Sequence, residues 1–181
     1  MRATIAQWSL TRPTPKVERF LARPAFSPEA ETAAAAVLAE VRAHGNRAVL
    51  AAARRFDGAA LRVSEMRVTD AELKAATREV PARVRRAVND AHTRVRRYAE
   101  ASLREAWHMP LPRGGFTGEF FSPMGRVGVY VPGGTAPLAS TAVMTVTLAR
   151  TAGVREIVAC TPCGRDKRVN PVLLHALRVA G

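Results

Sequence analysis

The chain has 181 residues, 48% hydrophobic and 24% charged, which is enough for one sizeable core or two small ones and ordinary for a globular protein. No apolar run reaches the length of a membrane span, and the opening "MRATIAQWSLTRPTPK" lacks the apolar centre of a secretion signal, so a cytoplasmic, membrane-free protein is expected. The net charge of +13 comes from 28 basic and 15 acidic residues, and only Lys16, Lys74 and Lys167 are lysine; arginine excess on an alanine-rich background is a GC-rich compositional bias and points to a solvated arginine surface, not a nucleic-acid partner.

After a short extended start around Ile5–Trp8, "TPKVERFLAR" predicts a brief helix. In "SPEAETAAAAVLAEVRAHG", Ser27 is placed to cap, Pro28 takes the first helical position, Glu29 and Glu31 fall in the first turn, and Gly45 stands at the stop. "NRAVLAAARRF" predicts a second helix ending at Asp57-Gly58, and "TDAELKAATREV" opens with Thr69 and Glu72 at capping-box spacing. A long helix is expected from about Ala82 to Trp107, with Val84, Val88, Ala91, Val95 and Tyr98 as its buried stripe. Arg83, Arg86, Arg94 and Arg97 run along one side of that stripe, with Arg85 and Arg96 on the other. No aromatic side chains are interleaved among them as stacking platforms for single-stranded nucleic acid.

Prolines and glycines in "HMPLPRGG", residues 108–115, break the helical pattern and mark a boundary between regions 1–108 and 109–181. Beyond it, "GFTGEFFSPMG" predicts a short hairpin or two edge strands. "RVGVYVP" reads as a buried strand, "STAVMTVTLARTAG" as an apolar helix closed by Gly153, "REIVAC" as a second buried strand, and "NPVLLHALRVAG" as a helix with Pro171 near its start. Strand, helix, strand and helix with short connections form half of a doubly wound unit. The fold class expected is α/β: an N-terminal helical segment followed by the start of an incomplete Rossmann-like parallel sheet. The second strand would be an uncovered apolar edge, so the chain is expected to be the front part of something larger.

Tyr130-Val131-Pro132-Gly133-Gly134 poses the main chemical question. In open parallel sheets, ligands bind beyond the carboxyl ends of the strands, where glycines admit a phosphate or ring close to the backbone. The spacing is neither G-x-G-x-x-G nor a P-loop, so a plain strand-to-helix turn and a ligand-approach turn both stay open, with the bare motif favouring the first. Cys160 and Cys163 form "CTPC", which has the spacing of a thiol-disulfide site but no second motif beside it; two ordinary free cysteines are expected. His44, His92, His108 and His175 lie at no ligand spacing from one another, and Glu105 and Glu119 stand alone. No catalytic residue and no metal ligand is assigned to this chain.

Longer stretches say more. "RVGVYVPGGTAPLASTAVM" resembles the glycine-turn signature of the histidinol dehydrogenase family, "VRAHGNRAVLAAARRFDG" is similar to its early helix pair ending in Phe-Asp, and "AGVREIVACTP" is similar to its next strand. The resemblance runs in order from about Pro24 to Gly181. It implies a homodimeric enzyme that oxidises L-histidinol to L-histidine in two NAD-dependent steps through an aldehyde, with zinc positioning the substrate, at the end of histidine biosynthesis. It places Tyr130 at the dinucleotide and gives Gly133 and Gly134 the task of letting the backbone pass close to the cofactor. Family members are more than twice as long, and their Glu-His acid/base pair and zinc ligands fall after the matched stretch, so none is carried over and the chain alone is expected to be inactive. A family paralogue acting on another small alcohol, or a non-catalytic nucleotide-binding or partner-pairing remnant, are the alternatives.

Overall fold

The computed structural model describes residues 9, 11, 14–24, 26–133 and 137–181. The extended start expected around Ile5–Trp8 and the glycine at position 134 lie outside the described residues. The chain divides into two compact units, Met1–Val49 and Leu50–Gly181.

In the first unit, α1 spans Pro15–Leu21 and α2 spans Pro28–His44. The Ser27 hydroxyl accepts the Ala30 N–H at 3.1 Å, Pro28 occupies the first turn, and Gly45 leaves the helix at φ +56°. Both ends therefore follow from residues adjacent in sequence.

The helix α3, Asn46–Ala52, leads into a π-helical turn, Ala53–Asp57, which ends at Gly58 in the left-handed region. In the second unit α4 covers Asp70–Glu79, α5 Ala82–Ser102, α6 Ala139–Thr151 and α7 Pro171–Ala180. The start of α4 is a reciprocal capping box: Glu72 N–H donates to the Thr69 hydroxyl at 3.2 Å, and Thr69 N–H donates to the Glu72 carboxylate at 2.7 Å. Two of these helices, α5 and α7, pack on α6, and α4 packs on α7. Their shared core is Val88, Val131, Ala142, Val143, Leu173 and Ala176. Removing a Leu173-sized side chain from water contributes about 1.5–3 kcal/mol.

The buried line of α5 differs from the expected one. It passes through Val84, Val88, His92, Val95 and Ala99, leaving Ala91 and Tyr98 exposed. Steps of four and three are kept, but from Val88 the line moves on by four to His92, not by three to Ala91. The helix also stops at Ser102, short of Trp107, because residues 107–111 pair as a strand.

That strand, β1 (Trp107–Leu111), forms an antiparallel hairpin with β2 (Gly115–Glu119). The Trp107 indole N–H donates to the Glu119 carboxylate directly opposite at 3.0 Å. The supposed break at "HMPLPRGG" is thus the first strand and its turn, in which Gly114 takes φ +80°. Gly118 must be glycine, since an added Cβ would collide with the Trp107 carbonyl and the His108 backbone.

The strand β3 (Arg126–Tyr130) pairs in parallel with β4 (Glu156–Cys160), with α6 connecting them. Across the first rung, the Arg126 guanidinium meets the Glu156 carboxylate at 2.7 Å. Neither strand is buried on both faces, as the apolar runs suggested. Val127, Val129 and Ile157 are half-buried, whereas Gly128, Tyr130, Val158 and Cys160 are exposed. With side chains alternating along a strand, Val127, Val129 and Ile157 share the face toward the helices, where Ala159 near the end of β4 is exposed, and the other face is open.

Candidate functional site at the carboxyl ends of the parallel strands

The pairing of β3 with β4 extends one residue past the strand, where Val131 N–H donates to the Cys160 carbonyl at 2.8 Å. Val131 is fully buried in the helical core, and the chain then leaves the sheet through Pro132 and Gly133. A Cβ at Gly133 would stand 2.9 Å from Pro162 Cγ and 3.2 Å from the Pro162 carbonyl. Contact between the two loops that follow β3 and β4 therefore requires glycine here, independently of any ligand.

Beside these loops opens a cleft of about 670 Å³, whose walls include Asp57, Gly133, Thr161, Cys163, Asp166 and Asn170. Four of these come from element ends: Asp57 closes the π-helical turn, Gly133 and Thr161 follow the two strands, and Asn170 caps α7 by accepting the Val172 N–H at 2.9 Å; Cys163 and Asp166 lie in the loop between β4 and α7. The loop from Gly164 to Arg168 turns sharply, with Lys167 N–H donating to the Gly164 carbonyl at 2.8 Å and Lys167 at φ +61°. Two ion pairs hold it. The Lys167 ammonium reaches the Glu65 carboxylate at 3.1 Å, and Arg168 Nη2 donates to both Glu79 oxygens at 3.1 and 3.2 Å. Glu65 is held down to about 2, first by the Arg62 backbone N–H, then by the Arg62 guanidinium and the Lys167 ammonium.

The residues singled out from sequence separate in space. Gly133 lines the cleft. Tyr130 is 65% exposed on the open face of the sheet, opposite Cys160 in the register, and is not part of the cleft wall. Gly134 lies outside the described residues.

Cys160 and Cys163 are both free. Burial, followed by the negative charges of Asp57 and Asp166, pushes the Cys163 thiol up from its ordinary value. That is the opposite of the activation a nucleophilic thiolate needs. His175 is 4% exposed; its Nδ1 lies 3.4 Å from the Thr77 hydroxyl and its Nε2 has no partner. Burial, then the charges of Arg178 and Arg85, push its pKa down, so the ring is a neutral member of the α4–α5–α7 junction.

Sequence reasoning missed Asp57 and Thr161 as cleft residues, and the two cations that secure the loop. Asp57-Gly58 was noted only as a helix end. The other contacts join residues far apart in the chain and leave no local pattern.

The family model for histidinol dehydrogenase matches residues 22–181. The chain belongs to the histidinol dehydrogenase family. It is 40% identical over 159 residues to a histidinol dehydrogenase of Symbiobacterium thermophilum, a match spanning 88% of the chain and 36% of the relative. It is 39% identical over 163 residues to that of Xanthomonas axonopodis pv. citri, spanning 89% of the chain and 37% of the relative. The chain thus spans a little over a third of the length of these curated relatives. In fold it resembles the crystal structure of histidinol dehydrogenase from Elizabethkingia anophelis, with a TM-score of 0.81 at 24% identity, covering 94% of this chain and 39% of that one. Family membership makes the chain part of an oxidoreductase family of histidine biosynthesis, and none of its described helices is long and apolar enough to cross a membrane.

Proposed function

We propose that this chain supplies the cofactor-binding part of a histidinol dehydrogenase, and that the cleft beyond β3 and β4 receives NAD. The observation that carries the reading is the position of the cleft: it opens at the carboxyl ends of a parallel strand pair, with Gly133 in its wall, in a chain of a dehydrogenase family. When bound, one NAD would accept hydride from the carbinol carbon of L-histidinol as its hydroxyl loses a proton, and a second NAD would accept hydride from the hydrated aldehyde, water having supplied the second carboxylate oxygen of L-histidine. Gly133 lines the cleft while packing on Pro162, and the exposed Tyr130 ring, outside the cleft wall, offers a stacking plane at the end of β3 to a dinucleotide that extends beyond the cleft. The same reading includes a homodimeric, cytoplasmic enzyme and a functional division near residue 108, where the strand-bearing region begins.

Zinc does not fit this chain. Among the described residues no three His, Cys, Asp or Glu side chains are grouped to hold a metal ion, so no step is assigned to zinc here. The acid/base pair and the zinc ligands implied by the family resemblance belong to the stretch of the relatives that this chain does not span.

Calorimetric titration of the 181-residue chain with NAD tests the reading. Saturable binding that weakens about tenfold or more in Tyr130→Ala is expected, the scale of one base–aromatic stack, together with no NADH formation from L-histidinol. Unchanged affinity in that variant would remove Tyr130 from the site. Turnover by the chain alone would overturn the assignment of the chemistry elsewhere.

A further inference from the structure

The loop between β4 and α7 has apolar anchors only at its two ends. Pro162 packs on Gly133, and Val169 packs against the helical core. Between them, Gly164 to Arg168 carry no apolar side chain. These five residues are closed on themselves. Lys167 N–H donates to the Gly164 carbonyl at 2.8 Å, Gly164 N–H to the Arg168 carbonyl at 3.2 Å, and Arg168 N–H to the Asp166 carboxylate at 3.1 Å. A Cβ on Gly164 would stand 2.7 Å from Asp166 Oδ1, so the closed turn requires glycine there.

Charge ties this turn to the rest of its unit. The Lys167 ammonium meets Glu65, the last residue of the 3-10 turn Val63–Glu65, and the Arg168 guanidinium meets Glu79, the last residue of α4. Arg165 lies across Gly58, with Cγ 3.1 Å from where a Cβ would stand. Both ion pairs are open to solvent, and Arg168 is 66% exposed, so each holds weakly and is screened by salt. Lys167 also sits at φ +61°, a region that residues with a side chain rarely adopt, so releasing its ammonium relieves the backbone. A self-contained turn on two weak latches is an element with two states. It stands at the cleft: Cys163, Gly164, Asp166 and Arg168 line one part of the wall, and Glu79 lines another, so the Arg168–Glu79 pair joins two parts of the rim.

We propose that Lys167 and Arg168 are positioning residues that latch Gly164–Arg168 as a strap at the cleft, and that the strap swings about Pro162 and Val169 to admit a ligand. Latched, it fixes the cleft wall; released, it uncovers the Cys163 thiol. The chain carries its own reporter and control, because Cys163 is half-buried in the cleft wall whereas Cys160 is already exposed.

The test follows alkylation of the two cysteines of the full 181-residue chain by iodoacetamide, a neutral reagent, with mass spectrometry to separate the sites. Sodium chloride is raised from about 0.1 M to about 1 M, over which the screening length falls from about 10 Å to about 3 Å. Cys163 is expected to react about two- to fivefold faster at the higher salt, and likewise in Lys167→Met and Arg168→Met at the lower salt, the worth of an exposed ion pair. Cys160 keeps its rate throughout. Burial and then Asp57 hold the Cys163 thiol up, and Lys167 opposes them; losing that cation would by itself slow alkylation, so a faster rate reports exposure. The charge exchange E79R/R168E restores the pair and the slow rate. Cys163 rates that ignore salt and both substitutions would overturn the latch, and E79R/R168E as fast as R168M would overturn the pairing with Glu79. Amide exchange in α6 that accelerates together with Cys163 would also overturn the strap, since the whole unit would then be opening. Should a variant fail to fold, the salt series on the wild-type chain decides alone. No ligand is added, so the outcome is independent of the dinucleotide reading.

Discussion

On the helix side of the β3–β4 pair, Val127 and Val129 are half-buried and Val131 is fully buried with Val88, Ala142 and Leu173; on the other side Tyr130 and Val158 are 65% and 46% exposed. Apolar residues stand on both faces, yet α6 packs on β3 and β4 from one side. Burial here is a property of the layer above the strand, and side-chain character alone does not decide it. The covered face holds the unit together. The open face carries the exposed tyrosine, and the loops at its end line the cleft.

Truncating Leu173 to alanine breaks the contrast hardest. This side chain is 1% exposed at the centre of the core, and its loss should cost about 3 kcal/mol in urea denaturation. A cost under about 1 kcal/mol would mean that the helical layer is loosely packed. Next is Gly133→Ala, at the joint between the two regions. The added methyl must displace Pro162, so about 1–3 kcal/mol of destabilisation is expected. Thermal denaturation showing an unchanged or raised midpoint would mean that the two loops do not touch as described.

Acid should weaken the covered side through His175. Thr77 on α4, Arg85 on α5 and Arg178 on α7 face the ring, and its pKa lies below the ordinary value of 6.5. From pH 6.5 down to the folded-state value, the unfolded chain takes up a proton that the folded chain refuses. The contribution is therefore complete above pH 6.5 and is lost as the pH falls through that window. Stability measured against pH should decline there in the wild type and flatten in His175→Gln; identical slopes would remove the ring from the account of the core. The smallest effect belongs to the open face, where Val158→Ala should change stability by less than about 0.5 kcal/mol. A loss comparable with that of L173A would show that something covers this face.

Features written within a few residues of each other were readable in advance. Ser27 with Pro28, and Thr69 with Glu72, set helix starts through side chains that reach only one turn ahead, and Pro171 marked the start of α7. The end of α5 was misjudged because Arg104 and Glu105 suit a helix, and only the pairing of Trp107 with Glu119 turns the chain into a strand. The runs in β3 and β4 looked buried because an apolar run does not say how many faces are covered. The cleft was hidden for a different reason. The ion pairs that shape its rim, Lys167 with Glu65 and Arg168 with Glu79, join residues 102 and 89 positions apart, and the neighbourhood of Asp57 and Cys163 exists only in the folded unit. Tyr130 and Gly133 drew notice through the family's turn signature; that Gly133 packs on Pro162 while Tyr130 stands outside the cleft wall was visible only in three dimensions.

The most direct measurement is an amide ¹H–¹⁵N spectrum of the 181-residue chain recorded while NAD is added. Progressive shifts gathered at Gly58, Gly133, Thr161, Cys163 and Gly164, with the α5 and α6 core amides unmoved, are predicted for a dinucleotide entering the cleft at the carboxyl ends of β3 and β4. An unchanged spectrum, or shifts confined to residues away from those strand ends, would contradict it.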